Sequence, residues 1–435
     1  YTIVAAGLSG AVTVGAAGTY TSLTGATGLF NAINTSGMSS SVLVQLLDAS
    51  IAETGAVALN AINYNGCASG PYSLVIRPAS GVNTILTGSV SSGAIIKLNG
   101  ADNVTFDGSN NGTSSRNLTI TNTTTTTSGN AVIWLAAPAA ANGANNNTIK
   151  NCIIEGNAAT TSFLGVYVGG NASISLTSAG LENNNNTTIQ NNLFRKTQYG
   201  LAFFGYAAAT PDNGNMIINN NFGTAVAGEG FQLEGIHIDR QNNMVVSGNE
   251  VQNVKGTSTT PMYGIRLLDF KNGQAYKNNV HNLNYSGAST GRIYGIALQS
   301  STYITAGNPS QAQIYNNLVY DVTSNANGSS WNMVGLFAGQ GYGDKYYFNS
   351  VHLTGQLNNS SSGLCAAFAN GDDVITGFGT NLDVRNNIFS LTGSSLGGNV
   401  WAYYSRAVNL SGTTQNNNVL RCAGTGATNN VGRLN

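Results

Sequence analysis

The chain has 435 residues, enough for two or three ordinary domains or one long repeat array, and 41% of them are hydrophobic, more than a disordered chain carries. Only 8% are charged, with 17 basic side chains against 17 acidic ones, so the cation excess needed to bind nucleic acid or a polybasic membrane surface is absent. No apolar run approaches the roughly 18 residues of a membrane helix, and membrane insertion is not expected.

The sequence opens at Tyr1 rather than Met and is expected to be a processed or truncated mature form. Residues 1–14 are rich in Ala and Gly with interspersed apolar side chains, and read as an extra strand or arm. Thr21 and Ser22 can cap a short helix reaching about Ile33, with Leu23, Ala26, Phe30 and Ile33 on one face. Strands are predicted at 42–48, 74–76, 95–98 and 104–106, so the chain divides into an arm and capping helix over 1–41 and a repeat array over 42–435. The helix would plug the first turn of that array.

From Ile149 onward one phrase recurs: an apolar residue, polar residues including Asn, then a further apolar strand. Copies are Ile149-Lys150-Asn151-Cys152-Ile153-Ile154, Ile189-Gln190-Asn191-Asn192-Leu193-Phe194 and Ile314-Tyr315-Asn316-Asn317-Leu318-Val319. The anchors fall at Cys152, Asn192, Asn220, Asn249, Asn278, Asn317, Asn349, Asn387 and Asn417. A second phrase alternates with it, a Gly before a short period-two strand, at Gly165, Gly200, Gly235, Gly264, Gly295 and Gly335. A fixed local phrase with a floating period is the mark of a solenoid whose loops vary in length. The fold expected is all-β, a right-handed parallel β-helix with a short N-terminal capping helix. Asn suits its corners because it tolerates the left-handed conformation and its amide can stack into a ladder from turn to turn. Cys152 would hold the ladder position as a small buried side chain. The four cysteines, Cys67, Cys152, Cys365 and Cys422, match no zinc or redox spacing. Two disulfides are compatible with a secreted protein, but buried free thiols are the preferred reading. Residues 416–435 show no amphipathic cap, which would leave a strand edge open at that end or mark a cap that has been removed.

The stretches Gly18-Thr19-Tyr20-Thr21-Ser22-Leu23, Phe30-Asn31-Ala32-Ile33, 95–108 (IIKLNGADNVTFDG) and 147–154 (NTIKNCII) resemble the large β-helix surface proteins of bacteria that use type IX secretion. The resemblance spans nearly the whole chain and implies a secreted or cell-surface location. Its motifs specify fold rather than function. The C-terminal sorting domain usual in such proteins is not seen before Asn435, which fits cleavage on export or a truncated chain. More distantly the coil is similar to pectate-lyase-type β-helices, and that likeness implies chemistry on one exterior face, with Asp beside Arg or Lys and sometimes Ca²⁺.

Aligning the Gly phrase gives two candidate exterior columns. Two residues after each Gly stand Tyr167, Ala202, His237, Arg266, Ala297 and Phe337; four after stand Gly169, Phe204, Asp239, Leu268, Gln299 and Gly339. One constellation emerges, His237, Asp239 and Arg240 on one turn with Arg266 and Asp269 on the next. As a sugar-acid site, Arg266 would pair a carboxylate while His237 or Asp239 served as base; a surface ion-pair cluster is the plainer reading. Asp239 and Asp269 are a register step apart and are expected to face differently, unlike the paired carboxylates of a glycosidase. Asp372 and Asp373 read as turn residues and are too few to hold Ca²⁺. Asp102 and Asp107 read as turn residues as well. Tyr199, Tyr263 and Tyr294 each precede the phrase Gly and are expected to stack along the coil. No catalytic residue, cofactor or metal is assigned. The sequence therefore favours an extracellular structural or adhesive protein that self-assembles head to tail, its 1–14 arm adding a strand to the next copy. The alternative is a polysaccharide lyase, hydrolase or glycan-binding module working on the exterior face, with extracellular polysaccharide as partner.

Overall fold

The computed structural model describes residues 7–65, 70–328, 330–358, 360–371, 377–407 and 412–434. The protein is an all-β parallel solenoid of about 12 turns with very little helix. Its contacts fall into two compact units, Tyr1–Asn221 and Phe222–Asn435.

In the first unit, the strands Leu8–Val14, Met38–Leu46, Leu74–Pro78, Val104–Asp107, Thr148–Lys150, Thr188–Gln190 and Met216–Ile218 lie side by side. Each pairs in parallel with the strand one turn away, for example Val42↔Leu74↔Val104 and Ile149↔Ile189↔Ile217. Period-two alternation explains the inward face: Val42, Val44 and Leu46 are buried, and so is the middle residue of each three-residue strand, Ile149, Ile189 and Ile217. The second unit repeats this with Val245–Ser247, Gln274–Tyr276, Gln313–Tyr315, Lys345–Tyr347, Asp383–Arg385 and Thr414–Asn416. The strands expected near 42–48, 74–76, 95–98 and 104–106 are present as Met38–Leu46, Leu74–Pro78, Gly93–Asn99 and Val104–Asp107.

The capping helix is shorter than expected. It runs Leu29–Ser36, with Gly28 at its N-cap, and buries Leu29, Phe30 and Ile33. Thr21 and Ser22 lie before it, because Gly25 and Gly28 turn the chain instead of propagating helix. The stretch ahead of it, Leu8–Val14, pairs in parallel with Met38–Leu46 of the same unit. It is a rung of its own coil.

The Asn corner resolves into two adjacent positions with different duties. Asn191, Asn219, Asn316, Asn386 and Asn417 adopt left-handed backbone, with φ of 52–58°. The next residue forms the ladder. In the second unit Asn249, Asn278, Asn317, Asn349, Asn387 and Asn418 each donate from backbone N–H to the side-chain oxygen of the following member, up to Asn418, at 2.9–3.1 Å. Their side-chain amides do the same at 3.0 Å. The last ladder residue is thus Asn418, and Asn417 is the left-handed residue before it. Cys152 opens the ladder of the first unit: it is buried and its N–H donates to Asn192 Oδ1 at 2.9 Å. Cys152, Cys365 and Cys422 are free thiols, which excludes disulfides among them; Cys67 lies outside the described residues.

Candidate functional site

The candidate constellation is built on two neighbouring strands of the second unit, Phe231–Asn242 and Met262–Lys271. Ile236 and Ile238 on the first, and Ile265 and Leu267 on the second, are fully buried in the coil. Alternation then turns His237 and Asp239 to the outer side, together with Arg266. Gly235 and Gly264 face inward, where a Cβ would meet Val251 and Val280, and this break in the period sets Glu234 and Tyr263 on the outer side as well. The register pairs Glu234 with Tyr263 and His237 with Arg266, as the sequence suggested for the latter pair.

Glu234 holds the centre. Its Oε2 lies 2.9 Å from His237 Nδ1, and its Oε1 accepts from Arg266 Nη1 at 3.3 Å. The Arg266 guanidinium also lies over the Tyr263 ring, 4.7 Å from its centroid. Glu234 and His237 are buried, whereas the side chains of Arg266 and Arg240 are 28% and 29% exposed. Asp239 lies between the two layers, its Oδ2 4.0 Å from Arg240 Nε. Burial raises the Asp239 carboxyl above its ordinary range; Arg240, His237 and Arg266 oppose the rise and Asp269 adds to it. Tyr303 is buried beside this group and is pushed up to about 12, first by burial and then by Asp269 and Asp239.

The structure therefore brings His237, Asp239, Arg240 and Arg266 together, and separates Asp269 from them in role. Asp269 has φ of 40° and spends both carboxylate oxygens on Thr302, accepting from its N–H at 2.8 Å and its hydroxyl at 2.7 Å. Arg240 shares the left-handed backbone, with φ of 53°. The sequence reading missed Glu234 and Tyr303. For Glu234 a signal existed: it stands before Gly235, where the other five aligned turns carry only apolar or aromatic residues, Leu164, Tyr199, Tyr263, Tyr294 and Val334.

Three expectations about the outer columns need correction. The column taken as exposed is covered: Tyr167, Ala202, His237, Ala297 and Phe337 are all buried. Toward the later turns the same outer side becomes an aromatic layer of Tyr294, Trp331, Phe337, Trp401 and Tyr404. The second column passes from Gln299 to Gln340, not Gly339, because a bulge adds a residue. Tyr263 and Tyr294 stack as expected, with centroids 4.9 Å apart and planes 10° from parallel, but Tyr199 packs edge-on against Phe163. Asp107 is buried and pairs with Lys150 at 3.2 Å, and Asp102 accepts from the Asn145 N–H. Asp372 and Asp373 lie outside the described residues. Among the described residues no cluster of three or more metal-ligating side chains occurs, and no helix is long and apolar enough to cross a membrane.

No family model and no curated protein sequence matches this chain. Several solved structures do. A GH136 lacto-N-biosidase from Eubacterium ramulus superposes with a TM-score of 0.51 at 10% identity, over 89% of this chain and 64% of that one. The A-module of a mannuronan C-5 epimerase from Azotobacter vinelandii gives 0.46 at 13% identity, over 94% of both chains. A PL6 polysaccharide lyase from Pseudopedobacter saltans gives 0.42 at 14% identity, over 90% and 88%. At these identities the likeness shows a shared fold. The expectation of a structural, adhesive protein that polymerises through its ends is corrected: the neighbour with a TM-score above 0.5 is a glycan-acting enzyme, and the arm meant for the next copy is already paired, Leu8–Val14 with Met38–Leu46.

Proposed function

We propose that the protein is a secreted enzyme that acts on an acidic polysaccharide at the outer side of the Phe231–Asn242 and Met262–Lys271 strands. The observation that carries this reading is the charge placed there: on a chain with 8% charged residues, the buried Glu234 carboxylate holds His237 and the guanidinium of Arg266, and the Arg266 and Arg240 side chains both reach the surface. Burying ionisable groups is costly, and such clusters concentrate at functional sites. The structural neighbours named above are glycan-acting, which agrees with the choice of polymer.

Arg266 and Arg240 would pair a uronate carboxylate and so acidify the adjacent C5–H. Asp239, in its ionised form, would take that proton. The electron pair forms a C4=C5 double bond, the C4–O glycosidic bond breaks, and the departing oxygen is protonated by solvent. Glu234 and His237 act beneath as positioning residues that fix the Arg266 guanidinium. The test is turnover on polymers of mannuronate, guluronate, galacturonate and glucuronate, followed by the ultraviolet absorbance of the new double bond. Arg266→Gln and Asp239→Asn should each reduce the rate at least about 100-fold. New reducing ends without the absorbance would make the enzyme a hydrolase, and no turnover on any of the polymers would defeat the proposal.

A further inference from the structure

The first unit carries a second cationic feature, at a place the Gly phrase did not reach. The register sets Lys97, Trp134 and Tyr167 in one outer column of three adjacent strands. Ile95 and Val132 stand where the phrase has Gly165, so the column is hidden in the sequence upstream of Tyr167. Lys97 Nζ lies 3.8 Å from the centroid of the Trp134 ring. It lines a pocket of about 310 Å³ whose walls include Gly55, Ala58, Gly93 and Gly129, with Ala172 and Ser173 at its side. That volume is at the lower end of the range for small-molecule sites.

The walls are small for backbone reasons that leave the space unfilled. Gly129 has φ of 72°, and a Cβ built there would meet nothing within 4 Å. Gly55, at φ of 64°, approaches the Ala94 carbonyl so closely that a Cβ would stand 2.5 Å from it. Trp134 is fixed beneath, its Nε1 donating to the Gly169 carbonyl at 2.7 Å. Among the described residues no carboxylate forms an ion pair with Lys97, although basic and acidic side chains balance at 17 each in the chain. Partial burial lowers the Lys97 ammonium below its ordinary value, with no neighbouring acid to hold it up. A half-buried cation over an aromatic ring, in a cavity with no anion of its own, is built to receive one.

We propose that this pocket is a binding subsite for the carboxylate of a uronic-acid residue, with Lys97 as the charge partner and Trp134 as its support. The choice of uronate over another anion rests on the proposed function, and places a glycan contact in the first unit apart from the Asp239 centre. The test is binding of a uronic-acid trisaccharide to the intact protein, read by calorimetry and by the fluorescence of Trp134, the one tryptophan in the first unit. Wild type should bind with a fluorescence change. Lys97→Gln should weaken binding at least about tenfold, and Ala172→Phe, at an exposed position, should block it while leaving Lys97 in place. Arg266→Gln should retain the fluorescence change. The carboxyl-reduced trisaccharide should not bind. Unchanged affinity in Lys97→Gln, or in Ala172→Phe, overturns the subsite, as does absence of the fluorescence change in wild type. Inorganic phosphate binding as tightly as the trisaccharide overturns it too, by showing a plain anion site. If the subsite binds but no polymer is turned over, the proposed reaction fails and the subsite stands.

Discussion

Asp344 shows how far a single buried carboxyl can set the behaviour of its surroundings. It is fully buried, and its Oδ1 accepts from Ser310 Oγ at 2.6 Å and from the Ala312 N–H at 2.9 Å. Those two bonds favour the charged form, yet burial wins and pushes the carboxyl up to about 7. Below about pH 4 folded and unfolded chains both hold the proton, and nothing is lost. As pH rises toward 7 the unfolded chain releases it while the folded one retains it, so stability falls; above 7 the slope from this group vanishes. The difference is on the order of 4 kcal/mol. Asp344→Asn keeps an acceptor for Ser310 and Ala312 and cannot ionise. Urea unfolding at pH 4, 6 and 8 should therefore show a flatter stability profile for the variant than for wild type, and parallel profiles would refute this account. Neither this residue nor Glu234 was legible in the sequence as a buried acid. Glu234 is the one charged residue in a column of Leu, Tyr and Val, a signal visible only after alignment, whereas Asp344 lies in a Gly-rich corner where Asp is ordinary turn chemistry.

Among the elements, the Asn corner was legible as a recurrence and misread in its division of labour. The sequence shows Asn doublets, and one residue was credited with both left-handed backbone and the ladder bond. Lys277 and Phe348 separate the two duties, since each has φ of 54° and is followed by a ladder Asn. The left-handed position therefore tolerates residues without an amide, while the ladder position does not let its amide go free. Asn317 shows why. It accepts from Asn278 N–H at 3.1 Å and Asn278 Nδ2 at 3.0 Å, and it donates to the Ala275 carbonyl at 2.9 Å and Asn349 Oδ1 at 3.0 Å. Asn317→Ala leaves several of these groups buried and unmatched, at about 1–3 kcal/mol each. A loss of about 3–5 kcal/mol is expected in denaturant unfolding. Asn316→Gly, one residue earlier, removes no ladder bond and suits φ of 54°, so its effect should stay within about 1 kcal/mol. Equal losses in the two variants would show that the corner conformation, and not the ladder, carries the stability. The capping helix was overextended for a related reason: apolar spacing continued through Gly25 and Gly28, and the backbone did not.

For the whole molecule, the solenoid was legible because its two phrases repeat, while the outer layer was not. Inward residues obey alternation and need no knowledge of loops. Outward residues such as Phe337 and Trp401 are buried by tertiary neighbours that no local pattern announces, so columns read as exposed became an aromatic layer. The same architecture fixes how damage should spread. In the second unit each ladder residue bonds to the turn beside it, and strands pair with the strand one turn away, as Gln274–Tyr276 does with Val245–Ser247 and Gln313–Tyr315. Energy in such a coil is a sum of rung terms and nearest-neighbour terms. Asn278→Ala removes the bonds from Asn278 to the Val246 carbonyl and to Asn317. Native-state hydrogen exchange should then rise in Val245–Ser247, Gln274–Tyr276 and Asn279–Tyr285. It should remain at the wild-type level in Leu364–Asn370 and Asn399–Ser405, which lie about two and three turns farther along and pair with none of those strands. A uniform rise over all these strands would mean that the unit opens as one cooperative body, and the nearest-neighbour description would have to be abandoned for it.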